Sequence, residues 1–63
     1  MFNIGDRVVI KSTAGGLVDR NHIPTVGTQS VVMNVNNTQT GQMVAIDING
    51  IVEWFPDTDL EKV

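Results

Sequence analysis

The stretch QMVAIDINGIVEWF, residues 42–55, constrains this chain more than any other. Two runs rich in β-branched and aromatic residues flank Asn49-Gly50, so the stretch reads as two strands folded back on each other. The pattern extends in both directions. Residues 6–11, DRVVIK, follow Gly5 with two valines and an isoleucine and suit a first strand. In residues 28–35, TQSVVMNV, Val31, Met33 and Val35 alternate with Ser30, Val32 and Asn34, a period of two with one face more apolar. Residues 36–41, NNTQTG, are polar and end in glycine, which marks a turn, and residues 60–63 form a short closing strand. Nowhere does an apolar i, i+3, i+4, i+7 pattern run long enough for a helix. Five short strands in one domain of 63 residues predict an all-β fold, a small barrel rather than a sandwich.

A chain this short buries only about 60% of its unfolded surface, so its margin of stability is thin. It has no cysteine, and neither a disulfide nor a thiolate zinc site supports the core. A hydrophobic fraction of 41% is nevertheless that of a globular protein. Either the core packs efficiently or a partner chain helps to bury it.

The Asn49-Gly50 turn decides which residues face that core. A two-residue turn pairs Ile48 with Ile51 and puts Glu53 opposite Ile46, in the apolar row of Val44, Ile46 and Ile48. A three-residue loop pairs Ile46 with Val52 and Val44 with Trp54, and leaves Glu53 outside beside Ala45. Burying an unpaired charge is costly, so the three-residue loop is expected. Trp54 then faces inward, and Phe55 falls on the outer face beside Met43. Pro56 has no N–H for a ladder and ends the strand. Asp57 and Asp59 are placed to cap a short 3₁₀ turn before the last strand.

Residues 12–26, STAGGLVDRNHIPTV, make a loop of a length that is often functional. Leu17, Val18, Ile23 and Val26 suggest that it folds back over the barrel. It carries the only histidine, His22.

Charge narrows the functions. Four basic residues against seven acidic ones give a net charge of −3, and Arg7, Lys11, Arg20 and Lys62 are scattered. Sequence-independent nucleic-acid binding, which draws its affinity from phosphate neutralisation, is disfavoured. The N-terminal stretch lacks the pattern of a secretory signal, and no run approaches the roughly 20 apolar residues of a membrane span. The expected location is cytoplasmic, with no membrane partner. The Asn36-Asn37-Thr38 sequon is then a chance match.

Several segments together carry a family resemblance: FNIGDRVVI at the start, VGT before the second strand, GQMVAI after a turn and WFPDTDLEKV at the end. Their layout resembles that of Src-homology-3-like barrels over nearly the whole chain. The ending is similar to the eukaryotic signature, with an aromatic pair, a proline and a 3₁₀ turn before the last strand. Where that family carries a ligand-contacting tyrosine this chain has Asp59, and it has no tyrosine at all, which argues against polyproline recognition. The start and the long first loop are closer to bacterial KOW modules and to small barrel subunits of photosynthetic electron-transfer complexes. The motifs are short; they imply a fold rather than a function.

Enzymatic chemistry finds little to work with. His22 beside Arg20 and Asp19 is better read as a loop histidine than as an acid–base group, since a general base needs a pocket. Glu53, Asp57, Asp59 and Glu61 do not have the spacing of a calcium loop, and no metal or cofactor is expected. Met33 and Met43 suit packing. The expected function is a non-enzymatic protein-interaction module or accessory subunit, with a contact face of Arg20, His22, Met43, Ile51 and Phe55. Either Phe55 is free to bind, or Leu17 and Ile23 cover it. Two alternatives remain: a KOW-like nucleic-acid- or ribosome-associated module, and a virus- or mobile-element-encoded protein that modulates a host complex. Oligomeric state is left open.

Overall fold

The computed structural model describes residues 1–13 and 26–63. It has strands β1 (Arg7–Ile10), β2 (Gln29–Thr38), β3 (Gly41–Ile48), β4 (Ile51–Pro56) and β5 (Leu60–Lys62), with a 3₁₀ turn at Asp57–Asp59. All pairings are antiparallel, in the spatial order β4-β3-β2-β1-β5. The fold is all-β, as the alternation of the sequence predicts. Among the described residues β4 and β5 lie at the two edges, and no hydrogen bonds between them close the sheet into a barrel.

β2 joins the two halves. Its residues 29–31 pair with β1, and 32–38 pair with β3. The register shifts between Val32 and Asn34, leaving Met33 as an extra, half-exposed residue. A bulge of this kind bends and twists a strand, which suits the change of partner. β2 also runs further than the sequence suggests. Asn36, Asn37 and Thr38 pair with Met43, Gln42 and Gly41, so the connection shrinks to Gln39 and Thr40. Ladder bonds need no apolar side chains. The Thr38 hydroxyl donates to the Gly41 carbonyl at 2.7 Å and accepts from the Thr40 N–H at 3.3 Å.

The β3–β4 hairpin corrects the expected register. Ile48 pairs with Ile51, Ile46 with Glu53, Ala45 with Trp54 and Val44 with Phe55. The turn is therefore two residues, with Asn49 at φ 52° and Gly50 at φ 87°. Asparagine and glycine tolerate left-handed backbone best, and two such residues in succession give the turn whose twist matches the strands. The Asp47 carboxylate adds a 3.0 Å bond from the Gly50 N–H. Turn geometry prevails over the cost of an inward Glu53. Of the adjacent aromatics of β4, Phe55 and not Trp54 enters the core.

Phe55 is fully buried among Phe2, Val8, Ile10, Val32, Val44, Ile46, Ile48 and Leu60, with Val35 packed against them. The 3₁₀ turn lies where the sequence places it, with Pro56 rather than an aspartate at its N-cap. The Asp57 carboxylate instead accepts the Gln42 N–H at 3.0 Å. The Asp59 carbonyl accepts the N–H groups of Lys11 and Ser12 as the chain leaves β1. Of the long loop's expected cover, Leu17, Val18 and Ile23 lie outside the described residues, while Val26 is exposed.

Candidate functional site

Outward-facing positions on β4 are Val52, Trp54 and Pro56, directly across from Asp47, Ala45 and Met43 of β3. Asn34 and Asn36 of β2 continue the rows on the far side of Ala45 and Met43. Strand alternation sets this face, because every second side chain must leave the core. A solvent face is ordinarily polar, yet here β4 supplies valine, tryptophan and proline. Val52 is 51% exposed, and Trp54, Pro56 and Met43 are each partly exposed. Ile51, at the turn, is 48% exposed.

The expected contact residues divide. Met43 and Ile51 keep exposed surface, on the outer face and at the hairpin tip respectively. Phe55 offers none, because it belongs to the core on the opposite side of the sheet from Met43. Arg20 and His22 lie outside the described residues. Trp54 takes the surface role that the one-residue shift in register removed from Phe55.

Two buried polar side chains on the inner face of this hairpin were not foreseen as interior. Gln42, 7% exposed, acts as a clamp. Its Oε1 accepts the Phe2 N–H at 2.8 Å, and its Nε2 donates to the Phe2 carbonyl at 3.2 Å and to Asn37 Oδ1 at 3.0 Å. The side-chain amide thus pairs with Phe2 as a neighbouring strand would. Glu53 is 4% exposed, and its Oε2 has no hydrogen-bond partner among the described residues.

Beside the clamp lies a shallow cleft of about 320 Å³ lined by Met1, Asn37, Thr38, Gly41, Gln42 and Asp57. Gly41 sits there at φ 132°, and a Cβ on it would come within 3.0 Å of Asp57 Oδ2. The bonds of Thr38, Gln42 and Asp57 already described are spent within the cleft on holding the chain. Among the described residues no three of His, Cys, Asp and Glu gather closely enough to hold a metal ion. No helix among them is long and apolar enough to cross a membrane.

No protein-family model matches the chain, and neither a curated protein nor a solved structure matches it.

Proposed function

We propose that this protein is a small non-enzymatic interaction module that serves as an accessory subunit, and that it meets a protein partner through the outer face of β3 and β4. The observation that carries the reading is the placement of Trp54. The chain's only tryptophan stands outside the core, flanked by Val52, Pro56 and Met43 on one sheet face. Tryptophan and methionine are enriched at interfaces, and a rigid aromatic on a fixed strand contributes area at low entropic cost. A continuous exposed apolar patch on a small protein marks such a surface. Without cysteine and with one histidine in the whole sequence, the chain has few groups for catalysis. The strand order, with a 3₁₀ turn before the last strand, supports a Src-homology-3-like barrel as the scaffold.

The test uses Trp54 as its own reporter. A partner is captured from the native host, identified by mass spectrometry and titrated against the purified protein. Binding over the β3–β4 face shifts the tryptophan emission to the blue, and Trp54→Ser abolishes capture while the circular dichroism stays that of the folded protein. Unchanged emission on binding, with capture retained by folded Trp54→Ser, overturns the reading.

A further inference from the structure

Glu53 sits on an edge strand whose far side is unpaired among the described residues. In a two-residue hairpin the pair next to the turn exchanges both its backbone bonds, and the alternation continues along the ladder. Ile51, Glu53 and Phe55 are therefore bonded to β3. Val52 and Trp54 aim their N–H and C=O groups at the open edge, and Pro56 adds a carbonyl without an N–H. Inward from that edge lies the unpartnered oxygen of a carboxylate that is 4% exposed. Buried carboxylates are costly without a partner, and no ion pair compensates this one among the described residues.

A second copy of the chain fits the edge poorly. Two β4 strands related by a two-fold axis keep their faces matched only when a residue stands opposite itself. Centring the pairing on Trp54 sets Val52 against Pro56, which lacks the N–H that the Val52 carbonyl needs. Centring it on Val52 sets Trp54 against Gly50, whose N–H already serves Asp47. Only the register centred on Glu53 satisfies all the free groups of Val52 and Trp54. That register places the two Glu53 side chains opposite each other at the closer, non-hydrogen-bonded kind of pair, about 4.5 Å between Cα atoms. Like charges directly opposite are destabilising, the more so in an interior.

We propose that the free edge of β4 accepts an extended segment of a partner protein that sets a lysine or arginine opposite Glu53, and that the same carboxylate excludes a second copy of this chain. The inference rests on the interaction-module reading and deepens it. Such a segment makes the four backbone bonds offered by Val52 and Trp54, and its cation supplies the partner that Glu53 Oε2 lacks. Inward-pointing charge on an edge strand is a known defence against self-pairing; here it also selects the occupant.

The experiment uses the whole chain and two blocked peptides of nine residues, alternating threonine and valine, with either lysine or glutamate at the centre. The lysine peptide should slow amide exchange at Val52 and Trp54 at least ten-fold, and bind at least ten-fold tighter than the glutamate peptide. In Glu53→Gln that preference should vanish, and the variant alone should sediment as a dimer at concentrations where the parent is a monomer. Equal response to the two peptides, no protection at Val52 and Trp54, or a variant that stays monomeric overturns the proposal. If the native partner still blue-shifts Trp54 after such a result, the interaction-face reading survives and the strand-edge inference alone falls.

Discussion

Gln42 and Glu53 are both buried polar side chains on the inner face of one hairpin, and they behave in opposite ways. Gln42 makes three hydrogen bonds and docks the N-terminal segment onto the sheet. Glu53 leaves an oxygen with no partner among the described residues. An amide is neutral and carries donors and an acceptor, so one side chain can satisfy a backbone N–H and C=O together. A carboxylate only accepts, and no donor among the described residues reaches its Oε2. The stability of the fold accounts for Gln42. It does not account for Glu53, which costs stability, and a buried cost without an internal return points to an occupant outside the chain.

The largest expected effect tests the register beneath that comparison. Phe55→Ala should lower stability by about 3–5 kcal/mol, the usual result of deleting a buried aromatic, and in so small a domain it approaches unfolding. Trp54→Ala, on the outer face, should cost much less. Urea denaturation of the two variants separates them. A reversed order of damage would return Glu53 to the outside, and the contrast with Gln42 would disappear.

That register shows where sequence reasoning ran out. Val44, Ile46 and Ile48 announce an inner row, and Asn49-Gly50 announces the turn, so the hairpin and its position were legible. The parity of β4 was not. Avoiding a buried charge favoured a three-residue loop, whereas two residues suited to left-handed backbone favoured two, and the turn's local geometry prevailed. A shift of one residue exchanged Trp54 and Phe55, which is why Met43 was placed on the right face and Phe55 on the wrong one. Gln42 shares the parity of Val44 and Ile46, a sign that it points inward and needs partners. Its main partner, Phe2, lies 40 residues away, a separation that no local pattern encodes.

Next in size is the loss of the clamp. Gln42→Ala strands the buried Phe2 N–H and carbonyl and should cost about 1–3 kcal/mol, with faster exchange of the Phe2 amide. Glu53→Leu should move the other way, adding on the order of 1 kcal/mol by replacing an unpartnered charge with apolar volume. Thermal melts of both variants sharpen the comparison through the sign alone. A destabilised Glu53→Leu would mean that the carboxylate is held within the chain after all.

The smallest effect belongs to the far end of the clamped segment. The Asn3 N–H donates to Asp6 Oδ2 at 2.9 Å, and Lys62 Nζ lies 3.4 Å from the same oxygen. The Asn3 bond above all holds the Asp6 carboxyl below its ordinary 3.8; desolvation opposes it next in size, and the Lys62 charge adds a smaller lowering. The folded protein therefore binds this proton less readily than the unfolded chain does. The stabilisation is complete above the unfolded value near 3.8 and is lost as the pH falls through the lowered folded value. Urea midpoints between about pH 2 and pH 5 should thus fall less steeply in Asp6→Asn than in the parent. The pair is exposed to solvent, so the difference is small. Salt near 1 M, where the screening length is about 3 Å, should remove the Lys62 part and leave the Asn3 part. Parallel slopes for parent and variant at low salt would show that the Asp6 carboxylate adds nothing to the hold that Gln42, the buried Phe2 ring and the Gly5 N–H to Val32 carbonyl bond already have on the N-terminal segment.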